Sequence, residues 1–367
     1  MTCFSLSSYA APTELNMTFD CRSAILMDAE TGTVLFEQNA DEALPPASVT
    51  KIMTLLLVME AIEQKKLALT DMITASAHAC SMGGSQIFLE EGEQMSVEDM
   101  LKSVVIASAN DAAVALAEHI AGTEEAFVAL MNKRAQELGM KNTHFENTNG
   151  LDDSVENHVT SARDIAIMSA ALIAHEKILE YSSIWMDTIR NGEFGLTNTN
   201  RLVRFYEGAT GLKTGSTSKA KFCISATAKR KGMSLICVVM AAPTRDVRNS
   251  TATALLDWGF ANFGIYTAPT VELQPVRVVG GVKNNCAVEQ GSFKNIVDKT
   301  DLSKITYNVK LPQNISAPIK NGDKIGDIEY FLGDKLIGTA DVCASENIEK
   351  ISFGYLFINF LAKISLA

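Results

Sequence analysis

Strand-like runs stand at both ends of a long helical stretch, and this leaves few ways to build a core. Near the start, Ala24–Asp28 and Val34–Phe36 are apolar runs on either side of Glu30-Thr31-Gly32, the pattern of a β-hairpin. Far downstream, Cys223–Ala228 and Leu235–Met240 flank the polar turn Lys229-Arg230-Lys231-Gly232. Between them the apolar spacing is helical. From Ser48 to about Lys66 it runs through Ile52, Leu55, Leu56, Met59 and Ile62. Ser96-x-x-Asp99 reads as a capping box ahead of Met100, Leu101, Val104 and Val105. Further helices are predicted over about Asn110–Ala121, Glu124–Leu138 and Ala162–Ile173, and a last one from about Arg245 to Asn262. Strands at the ends with helices between predict one sheet whose first and last strands lie far apart in the chain.

After about Pro269 the texture changes. Ile305, Tyr307, Val309 and Leu311 alternate with polar residues, as in a half-buried strand, and Gly322, Gly326, Gly333 and Gly338 punctuate short runs. A small all-β domain is expected there, so the 367 residues suit two domains. Ile351–Ala367 is strongly apolar, yet shorter than the roughly 20 residues that span a bilayer, and reads as an interfacial anchor. Its alternative is a terminal element docked on the β domain.

Composition removes several functional classes. A net charge of −11 argues against nucleic-acid binding, which needs a basic face. Any anionic ligand must therefore meet a local basic cluster. Seven scattered cysteines without a CxxC pair suit neither a disulfide framework nor a zinc ribbon, and most read as small core residues. The five histidines form no HExxH spacing, so no metal or other cofactor is expected. At the N-terminus, Ser8-Tyr9-Ala10 before Ala11-Pro12 resembles the cleavage site of a secretory signal; a frayed cytosolic terminus is the alternative.

Three short motifs carry the chemistry: Ser48-Val49-Thr50-Lys51, Ser108-Ala109-Asn110 and Lys213-Thr214-Gly215. Singly, each has a plain explanation: Ser48, Ser108 and Asn110 as helix caps, Lys213 as a solvated strand residue. Together, in this order and with Ser108 and Lys213 lying 60 and 165 residues after Ser48, they match the signature shared by penicillin-binding proteins and class A β-lactamases. Serine and lysine at i and i+3 share a helix face. Serine needs a base, and a lysine can be one only when burial or a second cation, here Lys213, keeps it neutral. The Ser48 N–H at a helix start, with one from the strand near Ser216 or Thr217, would serve an oxyanion.

From Ala24 to Phe263 the chain resembles the low-molecular-mass penicillin-binding proteins that act as serine-type D-alanyl-D-alanine carboxypeptidases. The resemblance is carried by Pro46–Thr54, Gly83-Gly84-Ser85, Ala107–Ala112, Asn147–Leu151, Thr160–Asp164, Asn198–Leu202 and Gly211–Gly215. The sporulation-linked Gram-positive branch looks nearest. The resemblance implies an α/β (α+β) penicillin-binding and β-lactamase-like fold, with an antiparallel sheet and a helical region, plus a small all-β C-terminal domain. It implies four segments: residues 1–20, a remnant of a secretory signal; 21–268, a catalytic penicillin-binding domain; 269–346, the β-rich domain; and 347–367, a membrane-anchoring tail. Ser48 would be the nucleophile, Lys51 its base and Ser108 a proton relay. Asn110 would position the substrate. Lys213, Thr214 and Gly215 would line its binding site, the first two holding the terminal carboxylate, with Arg248, or else Arg245, assisting. The implied substrate is the peptidoglycan stem peptide, the inhibitors are β-lactams, and the place of action is the outer face of the cytoplasmic membrane.

One position departs from the family: Thr210-Gly211 stands where relatives usually have Asp-Gly, which bears on fine substrate positioning. A class A β-lactamase would also need an ExxLN pattern, which neither Glu146-Asn147-Thr148-Asn149 nor Glu156-Asn157-His158 supplies. A D,D-endopeptidase or a non-catalytic penicillin-binding sensor are the remaining alternatives.

Overall fold

The computed structural model describes residues 17–152, 155–355 and 357. The signal-like site at Ser8–Pro12 and most of the apolar tail lie outside them. The chain divides into two compact units, one ending at Asn262 and one beginning at Phe263.

The first unit is built on a five-stranded antiparallel sheet, in the order Val34–Gln38, Ser23–Asp28, Met233–Ala242, Lys221–Arg230, Ala209–Thr217. The first strand and the last therefore pair, with Ala24 opposite Val239 and Leu26 opposite Cys237. All six residues of Ser23–Asp28 are buried, because both faces of this strand are covered. Ile25 and Met27 join the helical core, while Leu26 and Leu235 lie under Gly259 of the helix Arg245–Asn262.

The helix Lys51–Glu63 runs through the helical core. It buries Met53 and Val58 as well as Ile52, Leu55, Leu56 and Met59, so it is enclosed on nearly every side. It starts later than the sequence suggests, because Ala47–Thr50 form a 3₁₀ turn before it and Ser48 caps nothing. The capped helix after Ser96 ends early too. The Ser96 hydroxyl accepts from the Asp99 N–H, but Val97–Lys102 then widens into a π turn over Ser103–Ala107, leaving Ser108 left-handed at φ +65°. Helices follow at Asn110–Ala121, Glu124–Glu137 and Ala162–Ile173.

The second unit contains a four-stranded sheet, in the order Val288–Gln290, Lys335–Ala344, Lys324–Leu332, Ile305–Lys310. It also holds the three-stranded sheet Asn285–Cys286, Val276–Val279, Asn314–Ser316 and the pair Phe263–Thr267 with Lys294–Asp298. Tyr330 is fully buried and stacks on Phe293 at 4.3 Å. The alternation at Ile305–Val309 forms a strand as expected, but at a sheet edge, so Tyr307 stays 47% exposed. The six described cysteines are free: Cys223, Cys237 and Cys286 are buried, and the others half-buried.

Candidate active site

The turn Ala47–Thr50 and the first residue of the following helix bring Ser48 and Lys51 together. Ala47 adopts φ +49°, a conformation that costs a non-glycine residue about 1–3 kcal/mol and is kept where surrounding contacts enforce it. Lys51 Nζ donates to Ser48 Oγ at 2.9 Å and to the Asn149 carbonyl at 2.7 Å. The lysine is 0% exposed. Burial, and next the charge of Lys213, push its amine well below the ordinary lysine range, against a smaller opposing pull from Asp111.

The other two motifs meet across the same space. Left-handed Ser108 presents its hydroxyl to Lys213 Nζ at 2.8 Å, and Nζ also donates to the Thr214 carbonyl at 2.9 Å. Burial, and then Arg248, lower the Lys213 amine to about 7. Thr214 Oγ1 donates to Thr199 Oγ1 at 2.8 Å. Gly215 lets the strand press against the serine turn, since a Cβ there would stand 2.8 Å from both Ser48 N and Pro46 O. Arg248 is buried in the first turn of Arg245–Asn262; its Nε and Nη2 donate to Asn249 Oδ1 at 3.0 and 2.9 Å.

Ser48, Ser108, Thr214, Gly215 and Arg248 line one cleft of about 640 Å³, within the range of small-ligand sites. Lys51 and Lys213 lie buried beneath it, reached through Ser48 and Ser108. Asn110 is not among the lining residues. Its Nδ2 is bound to the Gly83 carbonyl at 2.6 Å, and its buried Oδ1 has no partner among the described residues. Arg201, Arg204 and Arg245 also line the cleft, and no aspartate or glutamate does. Glu146 instead accepts from the Asn157 N–H. Thr210 is turned to the sheet, where its hydroxyl bonds Thr227 at 2.8 Å, so the departure from Asp-Gly is absorbed there.

A brace behind the Ser48 turn lies outside the three motifs, in Asn147–Leu151 and at His158. Asn147 Oδ1 accepts from the N–H groups of Asn149 and Gly150, which aims the Asn149 carbonyl at Lys51. Gly150, at φ +84°, comes so close that a Cβ would lie 1.9 Å from the Ala47 oxygen. His158 Nδ1 accepts from the Glu146 N–H at 3.0 Å, so its proton sits on Nε2 and is donated to Thr50 Oγ1 at 2.7 Å. Thr50 in turn donates to the Ala47 carbonyl at 2.8 Å. Asn-Gly is a readable turn signal; nothing around His158 in the sequence announces its place.

Comparison with known proteins gives the same picture across both units. Residues 9–244 match the family described as D-alanyl-D-alanine carboxypeptidase, and residues 272–350 match the C-terminal domain of penicillin-binding protein 5. The D-alanyl-D-alanine carboxypeptidase DacF of Bacillus subtilis is 41% identical over 92% of this chain and 88% of its own. Penicillin binding protein 5 from Haemophilus influenzae superposes with a TM-score of 0.80 at 34% identity, covering 92% of this chain and 100% of that one. Penicillin-binding protein D2 from Listeria monocytogenes, solved in an ampicillin-bound form, superposes with a TM-score of 0.62 at 32% identity over 67% of this chain and 99% of its own. The sheet order, the SxxK–SxN–KTG convergence and these matches agree, and the chain belongs to the D-alanyl-D-alanine carboxypeptidase family.

Proposed function

We propose that the chain is a serine D,D-carboxypeptidase that removes the terminal D-alanine from peptidoglycan stem pentapeptides through an acyl-enzyme on Ser48. The observation that carries this reading is a fully buried lysine amine, held well below its usual pKa, 2.9 Å from a serine hydroxyl that lines an arginine-rich cleft. Neutral Lys51 takes the Ser48 proton as Oγ attacks the carbonyl carbon of the D-Ala-D-Ala bond. Backbone N–H groups at Ser48 and on the strand near Ser216 hold the oxyanion. The C–N bond breaks, the leaving amine takes a proton through the Lys51, Ser108 and Lys213 side chains, and D-alanine departs. Water then cleaves the ester, restoring Ser48 and releasing the shortened peptide. Lys213, Thr214 and Arg248 bind the terminal carboxylate, with Gly215 giving the substrate room beside Ser48; Asn110 positions the substrate from below. A β-lactam acylates Ser48 by the same attack and stays.

The site of action we infer is the outer face of the cytoplasmic membrane, with Ile351–Ala367 as an interfacial anchor. Phe353 is 84% exposed and Phe357 is also exposed, the two rings stacking at 6.4 Å. Among the described residues no helix is long and apolar enough to cross a membrane.

The test treats the protein with penicillin and locates the adduct by peptide mass spectrometry, then measures D-alanine released from a pentapeptide. The adduct is expected on the Ser48 peptide, and Ser48→Ala should abolish both adduct and release. An adduct elsewhere on folded protein, or acylation without release of D-alanine, overturns the reading.

A further inference from the structure

Lys51 and Asn110 each donate to the carbonyl of a loop residue, Asn149 and Gly83, and one carboxylate outside the cleft ties both loops down. Glu124 opens the helix Glu124–Glu137, which is capped by the Thr123 hydroxyl accepting from the Ala126 N–H at 3.1 Å. Its side chain is 13% exposed, so little water competes for it. Oε1 accepts from the Thr148 N–H at 3.0 Å and from the Thr148 hydroxyl at 2.7 Å. Oε2 accepts from His78 Nε2 at 2.8 Å. Glu124 and His78 belong to none of the three motifs, and neither is among the residues lining the cleft. An exposed ion pair contributes little by itself; this carboxylate instead accepts three hydrogen bonds that locate two loops.

The first arm ends at Lys51. Thr148 is buried, and Thr54, one turn on from Lys51 in the same helix, donates to its carbonyl at 2.6 Å. With Glu124 on the other two groups, Thr148 is fixed at its N–H, its hydroxyl and its carbonyl. The carbonyl that accepts from Lys51 Nζ lies one residue on, at Asn149. The second arm ends at Asn110. His78 lies in the helical turn Ala77–Cys80, and residues 82–85 follow directly. There the Gly83 carbonyl accepts from Asn110 Nδ2 at 2.6 Å, the Ser85 carbonyl accepts from the Asn110 N–H at 2.7 Å, and Ser85 lines the cleft. Met82 Sδ accepts from Asn149 Nδ2 at 3.4 Å, so the two arms touch. The hydrogen bond to Glu124 chiefly, with the charges of Glu124, Glu118 and Glu125, raises the His78 pKa above the usual 6.5 against desolvation, which favours a charge-assisted tie.

We propose that Glu124 and His78 are positioning residues for the acylation of Ser48. Glu124, through Thr148, holds the Asn149 carbonyl against Lys51; His78, held by Glu124, sets residues 82–85 and through them Asn110 and the cleft wall at Ser85. The first arm serves the chemical step and the second serves binding. This inference rests on the carboxypeptidase reading above, with Lys51 as the base.

The experiment follows acylation of the full chain by penicillin in stopped flow, separating the dissociation constant of the first complex from the rate constant of acylation. Thr148→Val cuts only the first arm and should lower the rate constant by about threefold or more, with the dissociation constant within about twofold of the wild type. His78→Ala cuts only the second and should do the reverse, weakening the first complex by about threefold or more. Glu124→Ala cuts both arms, and its rate constant should fall by about tenfold or more, as for lost hydrogen bonds to a charged group. Glu124→Gln should restore both constants to within about threefold, because its amide oxygen can accept from Thr148 and its amide nitrogen can donate to His78. Cooperative urea unfolding reports that each variant is folded; where Glu124→Ala is not, the two single-arm variants carry the test. A folded Glu124→Ala with both constants near the wild type overturns the proposal. So does an equal loss in Glu124→Gln and Glu124→Ala, or a change in the same constant for Thr148→Val and His78→Ala. A wild-type chain that penicillin does not acylate at Ser48 overturns the carboxypeptidase reading itself.

Discussion

Two buried lysines lie beneath one cleft, and their neighbours set them apart. Lys51 meets Ser48 on one side and Lys213's charge on the other, so it is the amine pressed toward neutrality. Lys213, lowered to about 7, sits where a carboxylate arriving beside Thr214 and Arg248 would restore its charge. The division can be tested at Lys51. Lys51→Arg keeps a cation at the position but cannot shed its proton near neutral pH. Acylation by penicillin should fall by roughly 10²–10⁴-fold, the usual contribution of a general base. Lys51→Met, which keeps the length without a large charged head, should fall similarly while its unfolding transition stays cooperative. Stopped-flow acylation rates decide this: a folded variant of either kind that reacts near the wild-type rate removes Lys51 from the role.

Helices and loops hold those residues in place, and the segment Asn147–His158 does so from behind. Burial is the main cause that lowers the His158 pKa from the usual 6.5 to about 4; His144 and Lys51 add to it, while Glu146 and Asp152 oppose. The folded state therefore keeps this imidazole neutral, with Nδ1 free to accept from Glu146. Between pH 6.5 and 4 the unfolded chain takes up a proton that the folded chain refuses. This contribution to stability is full above 6.5 and lost as pH falls toward 4. By pH 4.5 the loss amounts to roughly 2–3 kcal/mol. In His158→Gln the amide can make both hydrogen bonds and never charges. Urea unfolding at pH 7 and 4.5 should show the wild type losing that much more than the variant; equal losses would mean that His158 is already protonated in the fold or carries no strain on charging. Such a brace is hard to read from sequence, because Lys51 and Asn149 are 98 residues apart and meet only through tertiary folding. The helices Asn110–Ala121, Ala162–Ile173 and Arg245–Asn262 form where their helical spacing predicts them, and the Ser161 hydroxyl caps the second by accepting from the Asp164 N–H. The π turn at Ser103–Ala107 is not legible, because Val104, Val105 and Ile106 continue the apolar run through it. The three motifs mark Ser48, Lys51, Ser108 and the strand Ala209–Thr217; Arg204 and Trp185 enter the cleft without any motif to announce them.

At the scale of the molecule, the proposed chemistry and the proposed anchor fall to different parts of the chain. Every residue of the cleft lies between Ser48 and Arg248, inside the unit that ends at Asn262. The apolar tail begins only at Ile351, after the last strand of the second unit at Ala344. A net charge of −11 disfavours attraction to anionic lipid, so the proposed anchor has to work through burial of apolar side chains. Ile351–Ala367 supplies Phe353, Tyr355, Leu356, Phe357, Ile358, Phe360, Leu361, Ile364 and Leu366, with Lys363 as its one charge. At about 1 kcal/mol each, roughly half the value for full burial, nine such side chains would be enough for near-micromolar attachment. The full chain should therefore co-sediment with zwitterionic as well as anionic vesicles, with little dependence on salt. A chain ending at Lys350 should remain in the supernatant and react with penicillin at the same rate as the full chain. Binding that appears only on anionic vesicles and vanishes with salt would point to electrostatic attachment instead. If the shortened chain unfolds or loses acylation, the tail is a structural element of the second unit, and the anchor is refuted.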